Sequence, residues 1–474
     1  MHKIEVTLKQ HTPLIHFQHD QEGATLRATE VKPKLDRFIL TKLGEDTAYQ
    51  SKRDEIAKGM EEKFNKQNSY EKGKLIAKDL GWLIGKGEQP ALDYKMKIMH
   101  PNNTPKKYII ASRLPKNQAD LLKNKDYEVI NFSPYFAQEK EFSQLFQKDN
   151  MSYRFTADYE SKLAALSKIG IKYDTITSEL ISFNKPLLEY IIGILQEFFV
   201  VENFGTRNGK GFGSFTVSSM KLDGDTLRFR EEVESWLKNN YDFVYKKACN
   251  GKDPFQIIQN DYKLMKAGYG RFEKQEGYQK SLLFLYFAQK NIRWEKRWFK
   301  QKIKELTLTK PHFTGYTLKQ ERGNGDPIDI NLKQSWDDTQ CPNNSNENYY
   351  YIRALLGLAE VFDFSTNNKN VKISVKVNCN NELERFKSPI IFKIINNNIY
   401  LVGNDNIPTQ LHDYSPTFSI FKKENNEIVK ESEIGIDPSI KIPNNFSLKD
   451  FISFCIKNSN GQYRSLTGYT PLKK

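Results

Sequence analysis

Alternating apolar and polar side chains predict a β-strand at the start of the chain. Ile4, Val6 and Leu8 are separated by polar residues, which is the pattern of a strand with one buried face. A short apolar run, Leu14-Ile15, follows Pro13, and because proline donates no ladder hydrogen bond this position is an edge or the end of a strand. The chain therefore opens with a strand that has one face in the core.

The segment after this strand is predicted to be helical and strongly charged. A loop at residues 16–23 leads to Thr29, whose hydroxyl is typical of a helix N-cap, with Pro33 in the first turn or just ahead of it. Residues 43–90 carry lysines and carboxylates at mixed spacing. We interpret them as a helical insertion with a solvated surface.

Longer apolar stretches predict further helices in the middle of the chain. Residues 176–203 are apolar over a length that fits a helix, most clearly at Leu187–Leu195. A strand is predicted at Gly213–Val217, and residues 226–310 are predicted to be mainly helical.

The last third of the chain contains short strand patterns. Strands are predicted at Val371–Val377, Ile390–Ile395 and Ile399–Val402, and the asparagines at 396–398 predict a hairpin turn between the last two. Short strands mixed with long helices in two halves fit an α+β fold better than a doubly wound parallel sheet.

Length and composition set outer limits on this interpretation. The chain has 474 residues, enough for two or three domains, and 13% aromatic residues, enough for a sizeable core. No apolar run reaches the roughly 18 residues needed to span a bilayer, and the N-terminus lacks the apolar segment of a secretory signal. The four cysteines form no CxxC pair, so we expect a reducing, cytoplasmic environment.

The net charge of +14 favours an anionic partner, and it is unevenly distributed. Residues 261–310 alone carry a net charge of +8, so over half of the excess lies in about a tenth of the chain. The densest part, Asn291–Lys304, predicts a helix with Trp294 and Trp298 on one face and basic side chains on another. The tryptophans fit either a core or a platform for base stacking, and the basic face fits nucleic acid or simple solvation. A membrane-surface helix is a weaker third interpretation, because the segment lies mid-chain among globular segments.

A glycine-rich loop at residues 205–213 carries the most specific signal. It combines four glycines with Arg207 and Lys210, so its backbone could approach phosphate oxygens closely while the side chains add charge. It does not supply the GxxxxGK[ST] spacing of a Walker A loop, and its order of helix, loop and strand is the reverse of a Rossmann site. The alternative is a tight helix-to-strand turn that needs small residues.

Three short patches resemble the RAMP superfamily of CRISPR-associated proteins, and within it the Cmr-one subunit family of type III-B effector complexes. The first joins Thr12-Pro13-Leu14 to the segment Leu26–Phe38, the second is the loop Gly205–Ser214, and the third is the segment Arg385–Lys393. A glycine-rich loop between the last helix and the last strand of a ferredoxin-like unit is the hallmark of the superfamily.

The resemblance implies two ferredoxin-like (RRM-like) RAMP domains with helical insertions. The first would span residues 1–222, with an insertion near 43–90 and the glycine-rich loop at 205–213. The second would span residues 223–474, with a basic helical insertion at 226–310.

The resemblance also implies a function. It points to a non-catalytic RNA-binding subunit of a type III CRISPR ribonucleoprotein in antiviral defence, which contacts the 3′ part of the guide RNA and the target RNA beside other RAMP subunits. No cofactor, metal or membrane is implied. The candidate RNA-binding residues are Arg27, Lys32, Lys34, Arg37, Gly205, Arg207, Gly209, Lys210, Gly211 and Gly213, with Arg293, Lys296, Arg297 and Lys300 added from composition.

Two alternatives remain at this level. His16, His19 and Asp20 cluster after the first strand, and histidines can serve as acid and base in metal-independent cleavage of CRISPR RNA. A metal at His16 and His19 would lack further spaced ligands. The chain could instead be a protein-interaction subunit without direct RNA contact.

Overall fold

The computed structural model describes most of the chain. The described residues are 1–15, 25–58, 66–85, 91–101, 103–111, 114–131, 144–149, 152–164, 169–268, 279–290, 292–318, 349–357, 361–378, 388–405, 416–436, 440–457 and 464–473.

Helices and strands are interspersed throughout the described residues, which confirms the predicted α+β class. The α-helices are α1 (Ala28–Glu45), α2 (Gln50–Ala57), α3 (Ser69–Asp79), α4 (Lys116–Lys123), α5 (Tyr159–Ala164), α6 (Lys185–Val201), α7 (Val233–Asn240), α8 (Pro254–Lys266), α9 (Leu282–Ala288), α10 (Glu295–Thr309) and α11 (Leu448–Ile456). Two short 3₁₀ helices cover Thr47–Tyr49 and Ile352–Leu356.

The strands are β1 (His2–Gln10), β2 (Leu14–Ile15), β3 (Leu83–Ile84), β4 (Ala91–Leu92), β5 (Lys95–Met99), β6 (Lys106–Ala111), β7 (Tyr127–Asn131), β8 (Phe146–Asp149), β9 (Ser152–Phe155), β10 (Ile169–Lys172), β11 (Thr175–Ser182), β12 (Phe215–Leu222), β13 (Asp225–Thr226), β14 (Phe243–Ala248), β15 (Arg293–Trp294), β16 (Tyr349–Tyr350), β17 (Val361–Ser365), β18 (Val371–Asn378), β19 (Ile391–Ile395), β20 (Asn398–Gly403), β21 (Thr417–Glu424), β22 (Glu427–Ile436) and β23 (Thr470–Pro471). The chain divides into two compact units. The first contains Met1–Ile258, Phe392–Leu401 and Leu472–Lys474, and the second contains Gln259–Ile391 and Val402–Pro471.

The first unit contains a ferredoxin-like sheet. Its antiparallel strands lie in the order β12-β1-β11-β5, with β13 added at the outer edge. In chain order the elements run β1-α1-β5-β11-α6-β12, so the sheet has the spatial order 4-1-3-2 of a βαββαβ unit. Ile4, Val6 and Leu8 of β1 pack with α1 and α6 in one core cluster, and this confirms the strand predicted from their alternation.

Two predicted boundaries near this sheet are wrong. Helix α1 begins at Ala28 after an extended Arg27, so Thr29 lies inside the first turn and is not the N-cap. The helix begins early because the amides of Glu30 and Val31 both donate to the Arg27 carbonyl. Residues 175–182 are strand β11 and the helix starts only at Lys185, because the side chains of β11 alternate between core and surface.

The first unit also contains strands of two further sheets. In the sheet with the order β2-β10-β6-β7, the strands β6 and β7 are parallel and α4 connects them. The order β19-β20-β14 places a hairpin beside β14, and the Leu472 amide donates to the Val244 carbonyl, so the chain end lies along the other side of β14. Strand β14 lies within the predicted helical stretch 226–310, which is wrong at that point. Asn396 and Asn397 both have positive φ, as a two-residue hairpin turn requires.

The second unit packs helices and an antiparallel sheet. The sheet has the strand order β17-β18-β21-β22, so adjacent strands follow one another in the order in which they occur along the chain. Trp298 and Phe299 of α10 are fully buried and contact Phe418 of this sheet, with ring centroids 6.1 and 4.9 Å away. A tight aromatic core therefore fixes α10 on the sheet.

Candidate nucleic-acid interface

The glycine-rich loop lies where the sequence predicts it, between α6 and β12 in the first unit. Gly205, Gly211 and Gly213 have φ of +74°, +88° and +66°, and Arg207 also has a positive φ of +60°. A Cβ on Gly213 would lie 1.9 Å from the Phe204 carbonyl oxygen, so this position admits only glycine. The loop is therefore a tight helix-to-strand turn. This does not conflict with the other interpretation, in which the loop binds phosphate.

The Thr-Pro-Leu segment after β1 holds both ends of the loop. The Thr206 amide donates to the Ile15 carbonyl at 2.9 Å, and the Gly213 amide donates to the Pro13 carbonyl at 3.0 Å. The Ser214 amide donates to the Thr12 hydroxyl at 3.0 Å. Two patches that resemble the same family are thus in direct contact.

The first turns of α1 also hold the loop. The Gly205 amide donates to the Glu30 carboxylate at 2.7 Å. Lys34 lies 3.3 Å from the same carboxylate oxygen and donates to the Asn203 carbonyl at 3.1 Å. Its ammonium group lies 4.8 Å from the centroid of the Phe204 ring. Lys34, a predicted RNA contact, is therefore half-buried and held by partners within the first unit.

Strand β19 supplies the third attachment. The Asn203 amide group donates to the carbonyls of Asn208 at 2.6 Å and Phe392 at 3.2 Å. The fully buried Lys393 donates to the Asn203 side-chain oxygen and to the Val201 carbonyl, both at 2.8 Å. A positive charge at the last carbonyls of α6 is favourable because the helix dipole is negative there. Neither Asn203 nor Lys393 was singled out from the sequence.

The outer part of the loop is a basic turn from Arg207 to Lys210. It is closed by the Lys210 amide, which donates to the Arg207 carbonyl at 2.8 Å, and the Phe392 amide donates to the Gly209 carbonyl at 3.0 Å. Burial lowers the pKa of Arg207 to about 9. Among the described residues, no hydrogen-bond acceptor lies at the amides of Asn208 and Gly209. The turn thus holds two half-buried cations beside two backbone amides on a rigid base, with the Lys210 ammonium 5.8 Å from the centroid of the Phe392 ring. Such an arrangement suits an anion.

The remaining predicted residues of α1 are dispersed. Lys32 pairs with Asp36 at 2.8 Å and lies 4.1 Å from the centroid of the Tyr94 ring, so it has internal partners. Arg37 is exposed and lies 5.9 Å from the centroid of Tyr70, and Arg27 is half-buried before the helix. Helix α1 therefore braces the loop with Glu30 and Lys34, and its other basic residues do not converge on the loop.

The basic segment of the second unit differs from its prediction. Arg293 and Trp294 are extended and pair in parallel with Tyr349 and Tyr350, so the predicted helix begins only at Glu295. Trp298 is fully buried, as the core interpretation predicts. The candidate residues Arg293, Lys296 and Lys300 are half-buried, and the side chain of Arg297 lies outside the described residues.

A buried ion pair fixes the start of α10. Glu295 has no exposed surface and lies 2.7 Å from Nε of Arg353, while the Ile352 amide donates to its other oxygen at 3.1 Å. Burial raises the pKa of Glu295, and the Arg353 charge opposes this shift. This acidic residue at the start of α10 therefore serves packing within the second unit.

His16, His19 and Asp20 lie outside the described residues. Within the described ranges, no three His, Cys, Asp or Glu side chains are grouped as a metal site would require. The same part of the chain contains no helix that combines the length and the apolar character needed to cross a bilayer.

Two family descriptions match nearly the whole chain. Cmr1 N-terminal domain matches residues 1–269, and Cmr1 C-terminal domain matches residues 278–471. The chain belongs to the Cmr1 family. This confirms the resemblance stated from the three sequence patches, and it makes the chain a subunit of the multi-protein type III-B CRISPR effector complex.

A solved structure is also similar to this chain. It is the crystal structure of Cmr1 from Pyrococcus furiosus in its apo form, with 11% identity and a TM-score of 0.27, covering 56% of this chain and 72% of that chain. A likeness at this level adds no weight to the assignment, which rests on the two domain matches. Among the curated proteins, none matches the chain.

Proposed function

We propose that this Cmr1-family subunit is a non-catalytic RNA-binding component of the type III-B effector, and that it contacts the 3′ part of the guide RNA and the target RNA in antiviral defence. The observation that supports RNA contact most directly is the basic turn Arg207–Lys210, in a loop that is held by the segment after β1, by α1 and by β19. Such a rigid, positive turn binds phosphate with little further loss of conformational entropy.

The lowered pKa of Arg207 supports the same proposal. Burial makes its charged form less favourable than in water. A phosphate beside the guanidinium would stabilise its charged form. Phosphate binding would therefore offset the unfavourable free energy of the buried charge in the free protein.

The test is RNA binding by the full chain at several salt concentrations. The double variant Arg207→Ala/Lys210→Ala should weaken binding and flatten the salt dependence, because phosphate contacts release counterions. The matched control is Lys58→Ala/Lys78→Ala, which removes two exposed charges, one just after α2 and one in α3. Equal losses in both variants would remove the loop from the site. Crosslinking in the reconstituted complex, with label at each end of the guide, tests the 3′ placement.

The non-catalytic part of the proposal has a separate test. The purified chain should leave CRISPR repeat RNA intact. Cleavage that disappears in His16→Ala or His19→Ala would favour the endoribonuclease instead. We also propose a cytoplasmic location, since guide RNA and the other effector subunits would be met there. A chain that co-purifies with those subunits but shows no salt-dependent RNA binding would be a protein-interaction subunit.

A further inference from the structure

The face of the ferredoxin-like sheet that is turned away from α1 and α6 carries mostly lysine and hydroxyl side chains. Ile4, Val6 and Leu8 of β1 face α1 and α6, so the alternate residues of β1 and its neighbours face the other way. Strand register places these on one surface, which we name the open face: Lys3, Glu5, Thr7, Lys9, Lys95, Lys97, Met99, Thr175, Thr177, Glu179, Ile181, Ser219 and Lys221.

The charges on the open face are predominantly positive. It has five lysines and two glutamates. Lys3 pairs with Glu5 and lies 3.6 Å from Glu179, so the two glutamates are offset in part and the face as a whole keeps an excess of positive charge. The other four lysines lie around this cluster, and Lys9, Lys95, Lys97 and Lys221 are all exposed.

The remaining side chains on the open face are mostly hydroxyls. Thr175 and Thr177 are exposed between the lysines of β5 and Lys9. Among the described strand residues on this face none is aromatic and only Met99 and Ile181 are apolar, while the exposed Phe183 lies just past the end of β11. A protein partner would need an apolar centre to the interface, which is missing here. Lysines and hydroxyls are the side chains that contact phosphate and sugar, and without aromatic rings bases cannot stack.

We propose that the open face is a second RNA-binding surface, which holds a single-stranded RNA through its sugar-phosphate backbone and does not read its bases. This inference rests on the proposed RNA-binding function and adds a surface separate from the Arg207–Lys210 turn.

The test uses the full chain and fluorescence anisotropy with 20-nucleotide oligo-U and oligo-A. The variant Lys95→Gln/Lys97→Gln/Lys221→Gln should weaken binding to both RNAs by about tenfold, and its salt slope should flatten by about 2, since each phosphate contact in single strands contributes about 0.7. The control Lys58→Gln/Lys78→Gln/Lys123→Gln makes the same charge change at exposed positions in helices or next to them, and it should bind like wild type. Thermal melts of both variants establish that they fold.

The outcomes separate this inference from the proposed function. Absence of RNA binding by the wild-type chain would overturn both. Loss of affinity in Arg207→Ala/Lys210→Ala but not in the open-face variant would overturn the open face alone. Three other results would also overturn the open face alone. The control and open-face variants could lose affinity equally, or the two RNAs could respond differently to the open-face substitutions. The open-face variant could also keep its RNA affinity but no longer co-purify with other subunits.

Discussion

The Gly205 amide donates a 2.7 Å hydrogen bond to the Glu30 carboxylate, although 175 positions of sequence separate the two residues. Glu30 lies in the first turn of α1, and Gly205 opens the glycine-rich loop with a positive φ. A Cβ at Gly205 would lie 2.6 Å from the Ile15 carbonyl oxygen, so the loop, the helix and the segment after β1 meet at this point. The position of the basic turn therefore depends on a carboxylate that does not itself bind an anion.

Removing this carboxylate should weaken both the fold and the interface. In Glu30→Ala the partly buried Gly205 amide loses its acceptor, which costs roughly 1–3 kcal/mol. We expect urea unfolding to show this loss, and RNA affinity to fall because the Arg207–Lys210 turn is less rigid. Glu30→Gln retains an acceptor and is the control. Equal behaviour of the alanine and glutamine variants would show that the bond does not position the loop.

Gly213 should tolerate no side chain. Its φ is +66°, and an added Cβ would lie 1.9 Å from the Phe204 carbonyl oxygen. Gly224 also has a positive φ, of +97°, but a Cβ added there would have nothing within 4 Å. We expect Gly224→Ala to cost about 1–2 kcal/mol for backbone strain alone and Gly213→Ala to cost about 1–3 kcal/mol more for overpacking. Denaturant midpoints measure both, and similar values would contradict the crowding at Gly213.

The crossing of α1 and α3 should depend on a pair of glycines. A Cβ on Gly44 would lie 1.9 Å from the Ser69 carbonyl oxygen, and one on Gly73 would lie 1.7 Å from the Leu40 carbonyl oxygen. Gly44→Ala should therefore destabilise the chain by about 1–3 kcal/mol as the helices separate. Gly193 of α6 has open space instead, so Gly193→Ala should stabilise by up to about 1 kcal/mol. Calorimetry should show midpoint shifts of opposite sign, and two shifts of the same sign would contradict the close crossing.

Sequence patterns predicted those elements whose signal is local. Ile4, Val6 and Leu8 predicted β1 because each of them enters the core. Strand β11 was missed because Ser178 and Ser182 occupy its buried positions, so no apolar alternation marks it and it merges with the apolar helix that follows.

The candidate site was likewise predicted from the sequence only in part. Glycine spacing predicted the tight loop because positive φ is a property of single residues. The attachments from Glu30, Asn203 and Lys393 could not be predicted, since they join residues that only the tertiary fold brings together. Lysine density likewise did not distinguish the half-buried Lys34, which donates to the Asn203 carbonyl, from exposed lysines such as Lys97 on the open face.

His11 should make stability depend on pH at the point where β1 meets the loop. Its Nε2 lies 2.9 Å from the Thr216 hydroxyl, and burial, aided by the charges of Lys9 and Lys172, lowers the pKa of His11 to about 4. An unfolded histidine titrates near 6.5, so as the pH falls the unfolded chain binds the proton first. The stability that neutral His11 contributes is complete above pH 6.5 and is lost between pH 6.5 and 4, with a slope of at most about 1.4 kcal/mol per pH unit.

Urea unfolding of wild type and His11→Gln at pH 7, 6 and 5 isolates this contribution, because the other groups titrate in both proteins. The free energy of unfolding should fall more steeply for wild type, whereas parallel curves would mean that the buried imidazole accepts its proton as readily as an exposed one.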